Sequence, residues 1–119
     1  MADDCIFCKI VRGEVPSTKE YEDDHILAFR DIHPKAPIHI LIIPKKHIQN
    51  LSHTDSRDVE LLGKLNLAAA EIAKKLGSSE QFKLTTNNGE QAGQVVMHLH
   101  YHLLSGWEKK EDIISELHL

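Results

Sequence analysis

The sequence predicts an α+β domain with an antiparallel sheet. Short runs of β-branched and apolar residues bounded by turn formers recur along the chain, and a single long segment carries the three-and-four spacing of an amphipathic helix. At 119 residues there is enough chain for one core and too little for two ordinary domains. One domain over residues 1–119 is expected, with 107–119 as a C-terminal tail.

In chain order, Ile6, Phe7, Ile10 and Val11 fall at helical spacing, and Gly13 stands where a short helix would stop. Pro16 and Ser17 end it, residues 19–22 form a first strand, and Asp23-Asp24 turn the chain into a second over 25–30. The two prolines of Asp31-Ile32-His33-Pro34-Lys35-Ala36-Pro37 exclude regular structure and stiffen a loop that bears Asp31. His39-Ile40-Leu41-Ile42-Ile43 reads as a central strand covered on both faces, ended by Pro44. Between residues 55 and 76, Val59, Leu62, Leu65, Ala69, Ile72, Ala73 and Leu76 draw one apolar stripe, and Gly77 follows as a stop. Asp55, Asp58, Lys74 and Lys75 suit the two ends of that helix's dipole. A half-buried strand over 82–86 and a polar, glycine-bearing loop over 87–94 come next. Beyond Ser105-Gly106, Ile113, Ile114 and Leu117 share a stripe that suits a short docking helix or a frayed tail.

Composition narrows the function classes. A formal charge of −4 with both signs interspersed supplies no basic field for nucleic acid, so any bound nucleotide is expected to be small. No apolar run reaches the length of a membrane span, and Met1-Ala2-Asp3-Asp4 lacks the basic and apolar regions of a signal peptide, so a cytoplasmic protein is expected. Two cysteines, Cys5 and Cys8, this close in a reducing compartment point to metal or redox chemistry rather than a stabilising disulfide.

The chemistry concentrates in His98-Leu99-His100-Tyr101-His102-Leu103-Leu104. On a strand, period two puts all three imidazoles on one face and Leu99, Tyr101 and Leu103 in the core. The bare residues leave three readings: a zinc hydrolase with histidine ligands, a phosphate-transfer enzyme with a histidine nucleophile, or a module that merely holds an anion. The loops around the histidines add a hydroxyl acceptor, Asp31, and amide donors near Asn87 and Gly93, which are the needs of a ribose and a phosphate.

The histidine run resembles the His-x-His-x-His signature of the histidine triad family. The resemblance extends upstream in order through Phe29-Arg30-Asp31-Ile32-His33-Pro34-Lys35-Ala36-Pro37, His39, Ile43-Pro44-Lys45-Lys46-His47, Asn87-Asn88-Gly89-Glu90 and Ala92-Gly93-Gln94, covering nearly the whole chain to Gly106. It is closest to the histidine triad nucleotide-binding branch, which implies a five-stranded antiparallel sheet with one long and one short helix, and a homodimer with one continuous larger sheet. The implied activity is hydrolysis of adenosine 5′-phosphoramidates or related nucleoside monophosphate conjugates through a nucleotidyl-histidine, with a purine nucleotide (AMP-like) as partner. His100 matches the nucleophile, His102 the residue that contacts phosphate and assists the leaving group, and His39 the upstream histidine. Asp31 matches the ribose acceptor, Asn87 and Gly93 the phosphate-side loop, and Ile6, Phe7, Ile10, Phe29, Ile32 and Leu41 the pocket for the base. Taken singly each has a plainer reading: Asp31 caps a turn, Asn87 holds a loop, and the apolar residues are core. A dinucleoside polyphosphate hydrolase, or a nucleotide-binding or scaffold protein with incidental catalysis, are the alternatives. His25, His33, His53 and His118 carry no assigned role.

Some members of the family carry the same cysteine pair and bind structural zinc, which implies Cys5, Cys8, His47 and His98 as ligands here. Such a set is closed, so the zinc would stabilise and no catalytic metal is expected. Two departures stand out. Val95 occupies a position where the branch commonly has a leaving-group serine, and Trp107-Glu108-Lys109-Lys110 does not match the branch's short proline- and glycine-containing end.

Overall fold

A computed structural model of the chain describes residues 4–113. Five strands form one antiparallel sheet: β1 (Lys19–Glu22), β2 (Ile26–Arg30), β3 (Ile38–Pro44), β4 (Phe82–Thr85) and β5 (Tyr101–Ser105), in the order β1-β2-β3-β5-β4. Two α-helices, α1 (Ile6–Val11) and α2 (Val59–Lys75), lie on opposite faces of it. The α+β class, the five strands and the long and short helices expected from the sequence are all present. Among the described residues no helix is long and apolar enough to cross a membrane.

Period two along β2 and β3 divides the core. Ile26, Ala28, Ile40 and Ile42 meet Leu65, Ala69, Ile72 and Ala73 of α2, together with Leu99 and Leu103. Leu27, Phe29, Leu41 and Ile43 face the other way and are covered by Phe7 and Ile10 of α1. β3 is therefore buried on both sides, as its unbroken apolar run demands. Pro44 closes the strand from inside rather than beyond it.

Side chains set the connections. Asp23 Oδ1 accepts the amides of His25 and Ile26, each at 2.8 Å, and so makes the turn between β1 and β2. The α-helix begins at the first residue of its apolar stripe, four residues later than the predicted span from residue 55. Residues 56–58 form a tighter 3-10 turn in which Asp55 and Asp58 cap each other's backbone, and the α-helix proper starts at Val59.

The histidine segment differs in one respect from the expected strand. The ladder starts only at Tyr101, opposite Ile42 of β3, and His98 to His100 leave the ladder although β3 runs on to Pro44. His98, Leu99 and His100 stay extended by other bonds: Leu99 N–H donates to Ile48 O at 2.6 Å, and Thr86 Oγ donates to the His100 carbonyl at 2.8 Å. The alternation of faces survives, with Leu99 and Leu103 buried towards α2 and Tyr101 packed at that core's edge. Past β5 a short turn covers Lys110–Asp112, and the Ile114 and Leu117 part of the C-terminal stripe lies outside the described residues.

Candidate active site and metal centre

Register places the site on the α1 face. Phe29 stands opposite Leu41, Leu41 opposite His102, and His102 opposite Thr85, so these four form one row across the sheet. His39 lies opposite Leu104 on the same face, one step along β3. Phe7 of α1 closes the row from above, its ring 5.5 Å from Phe29, 5.1 Å from His100 and 6.0 Å from His98, edge to face in each case.

Hydrogen bonds fix which nitrogen of each imidazole is free. The His100 ring donates from Nδ1 to the His98 carbonyl at 2.7 Å, which puts the lone pair of a neutral ring on Nε2. Lys35 N–H donates to His39 Nδ1 at 3.0 Å, so the proton of a neutral His39 sits on Nε2. That Nε2 lies 2.9 Å from His102 Nδ1 and donates to it, which in turn places the His102 proton on Nε2. The three groups form a directed chain that presents a proton on His102, whose ring is 5.0 Å from that of His100.

Burial keeps this chain neutral. Desolvation is the largest cause of the low pKa values of His39, His100 and His102, and for His102, pushed down to about 4, nearby His100 and His39 reinforce it. Asp31 opposes the shift at each. A histidine whose folded pKa lies below its unfolded value near 6.5 binds fewer protons in the native state, so its contribution is whole above about pH 6.5 and is lost as pH falls towards 4. The urea midpoint is expected to decline through that window, and His102→Gln should flatten the decline. An unchanged slope in the variant would show that His102 titrates no differently when the chain unfolds.

Asp31 caps its loop, the plainer of its two expected readings. One oxygen caps the loop by accepting His33 N–H at 2.8 Å, and the other stands 3.4 Å from His39 Nε2. Asn87 lies against Gly93: a β-carbon on that glycine would sit 3.7 Å from Asn87 Nδ2, and Gly93 has a φ of +94° that favours glycine. Of the apolar six, Phe7, Ile10, Phe29 and Leu41 are gathered in the α1-side core, whereas Ile6 and Ile32 are exposed, Ile32 at 86%. Val95 is exposed as well and lines a cavity of about 480 Å³ with Ile6, His47 and Met97.

Cys5, Cys8, His47 and His98 converge at the start of α1, their donor atoms all within 4.8 Å of one another. Cys5 Sγ to His98 Nδ1 is 3.3 Å, Cys8 Sγ to His47 Nδ1 3.3 Å, Cys8 Sγ to His98 Nδ1 3.5 Å and the two Nδ1 atoms 3.2 Å apart. Zinc bonds of 2.0–2.3 Å in a tetrahedron give ligand-to-ligand edges of about 3.3–3.8 Å, so the four donors already stand at nearly the required separations. His98 donates from Nε2 to Pro44 O at 2.8 Å, which turns the Nδ1 lone pair into the cluster, as a metal-bound imidazole requires. The donor set suits zinc.

A second cluster, Asp31, His39 and His102, also brings possible ligands together. Its protons argue against a metal. With His39 Nδ1 occupied by Lys35 N–H, the atom between His39 and His102 is a hydrogen, and a cation there would have to displace it from a neutral imidazole.

Sequence reasoning assigned no role to Gln94, Asn50, Asn88 or Thr86. Buried Gln94 ties the 89–96 loop to Gln49, Asn50 Nδ2 reaches Gln94 Oε1, and Asn88 Oδ1 accepts Leu51 N–H at 2.8 Å. No local pattern marks these residues, since an amide in a polar loop reads as solvated until its distant partner is known.

Known proteins share the chain's sequence and fold. The HIT domain family matches residues 12–109. A 14 kDa zinc-binding protein of Brassica juncea is 46% identical over 105 residues, covering 87% of this chain and 93% of that protein. The adenylylsulfatase HINT1 of Arabidopsis thaliana is 46% identical over 103 residues, 85% of this chain and 70% of that one. A HIT family hydrolase from Legionella pneumophila superposes with a TM-score of 0.86 at 47% identity, over 88% of this chain and 95% of the other. With a family match over residues 12–109, relatives at 46% identity and a superposable fold, the chain belongs to the HIT family.

Proposed function

We propose that the chain is a nucleotide hydrolase that cleaves adenosine 5′-phosphoramidates or related nucleoside monophosphate conjugates through a nucleotidyl intermediate on His100. The observation that carries this reading is the fixed tautomer of His100. Its Nδ1–H is held by the His98 carbonyl, and Nε2 is a neutral lone pair beside a proton-bearing His102. In the first step Nε2 bonds to the α-phosphorus as the bond to the leaving nitrogen breaks, and that nitrogen departs as the neutral amine with a proton relayed from solvent through His102, which stays neutral. Water then attacks the phosphorus as the Nε2–phosphorus bond breaks, the surplus water proton leaves to solvent through His102, and the monophosphate is released with His100 restored. Relatives named as a hydrolase and an adenylylsulfatase support the reaction and substrate class.

Around this centre Asp31 accepts the ribose hydroxyls, Asn87 and the amides near Gly93 receive phosphate, and Phe7, Ile10, Phe29 and Leu41 form the base wall, with exposed Ile6 and Ile32 at its mouth. Cys5, Cys8, His47 and His98 hold a zinc ion whose closed ligand set supplies cohesion, not catalysis. A homodimer through β4 fits an outer strand on which Lys83 Nζ is buried without a hydrogen-bond partner among the described residues.

The test is a panel of adenylyl conjugates with amine, sulfate and phosphate leaving groups. AMP release and a mass increment of one adenylyl group on the acid-quenched His100 peptide are expected. Turnover without any adduct under single-turnover conditions would remove the covalent route.

A further inference from the structure

Gln94 is a fully buried amide with every hydrogen-bonding position filled. Its Nε2 donates to Gln49 O at 2.7 Å and to Val96 O at 3.0 Å, while Oε1 accepts Gly89 N–H at 2.8 Å and Asn50 Nδ2–H at 3.4 Å. Its own backbone N–H returns to Gly89 O at 3.0 Å, so Gly89 is gripped through both of its backbone groups. The two carbonyls at the other end are placed tellingly. Gln49 follows His47 by two residues and Val96 precedes His98 by two, so one amide group clamps the chain beside both histidines of the metal cluster.

The opposite end of the same side chain sets the loop in which Gly93 packs on Asn87. His98 Nδ1 has a single lone pair and three neighbours for it, Cys5 Sγ at 3.3 Å, Cys8 Sγ at 3.5 Å and His47 Nδ1 at 3.2 Å, so a proton on one of them satisfies only one contact at a time. A cation bonded to all four donors would fix both histidines together, hence the Gln49 and Val96 carbonyls, hence the amide between them. Buried polar networks with no free member transmit such constraints because no bond can shift without orphaning another.

We propose that Gln94 is a positioning residue that couples occupancy of the Cys5/Cys8/His47/His98 cluster to nucleotide affinity at the 87–93 loop. The inference rests on the nucleotide reading above. Linkage makes the coupling reciprocal: zinc must tighten AMP binding by the factor by which AMP tightens zinc.

The experiment uses zinc-loaded protein as purified. Zinc release to a chromogenic chelator is timed with and without saturating AMP, and AMP affinity is measured separately by calorimetry. AMP is expected to slow zinc release about fivefold or more, within the ordinary range of coupling between two sites. Gln94→Met should still hold stoichiometric zinc and bind AMP more weakly, with the effect of AMP on zinc release reduced to less than about twofold. Gln94→Glu, which keeps acceptors for Gly89 but loses both donors, should also lose the coupling, and it serves if the methionine variant does not fold. AMP binding in the parent protein with no change in zinc release overturns the proposal, as does full coupling in either variant. Absence of AMP binding in the zinc-loaded parent overturns the nucleotide reading, and the coupling falls with it.

Discussion

Replacing His100 by alanine is expected to reduce turnover of an adenosine 5′-phosphoramidate by on the order of 10⁴-fold or more, while AMP affinity changes little. The magnitude follows from what the side chain supplies. A lone pair held by the His98 carbonyl and walled by Phe7 is an intramolecular nucleophile already aligned, and nothing else in the row can replace it. His102 Nδ1 is engaged by His39, and the His98 lone pair faces the metal cluster. Nucleotide affinity, by contrast, draws on Asp31, the 87–93 loop and the apolar wall, which the substitution leaves in place. His102→Ala should behave differently, since proton donation contributes about 10²–10⁴-fold and only where the leaving group needs a proton. Its loss should be large for an amine and small for a leaving group that departs as a stable anion. Progress curves by 31P NMR or chromatography check both variants, with circular dichroism to show that each is folded. Equal turnover in His100→Ala and the parent would leave a binding protein with incidental catalysis as the better description.

Much of this geometry was legible in the sequence for identifiable reasons. The stripe from Leu62 to Leu76 obeys helical spacing because one face of α2 meets the sheet, although Val59, expected on the same stripe, is exposed at the helix start, and β3 is continuously apolar because helices cover both of its faces. Both patterns are local. The faces of His98, His100 and His102 followed from alternation even though the ladder starts only at Tyr101, since extended backbone alternates whether or not it is paired. The metal cluster was out of reach of any local pattern. Cys5 and His98 are 93 residues apart, and only the family resemblance joined them. Tautomers were equally hidden, because the proton on His102 depends on the Lys35 amide, a backbone group with no sequence signature. Ile32 illustrates a further limit: its apolar side chain sits on the proline-stiffened loop and is exposed, so hydrophobicity alone did not place it in the wall.

Removing the metal is expected to have the second large effect, confined to one face of the molecule. Reduced protein purified without added metal should carry about one zinc per chain, as the closed four-donor set requires. Stripping it, or substituting Cys8→Ser, should lower stability by several kcal/mol, less than the roughly 10–16 kcal/mol of peptides that fold only around zinc. The difference lies in the sheet and α2, whose core of Ile26, Ile40, Ile42, Leu65 and Ile72 contains no metal ligand. α1 has no such reserve. Six residues are too few for a helix to persist alone, and this one is held by Phe7 and Ile10 on the sheet and by Cys5 and Cys8 at the cluster. Its release would uncover Leu27, Phe29, Leu41 and Ile43 and take Phe7 off His100, so the base wall and the nucleophile's apolar cover would go together. Hydrogen exchange is expected to show lost protection in residues 6–11 while β3 and α2 stay protected, with early proteolysis N-terminal to β1. Uniform exchange across both faces would mean that the metal stabilises the whole core, and an unchanged melting temperature in metal-free reduced protein would mean that the cluster holds no structural ion.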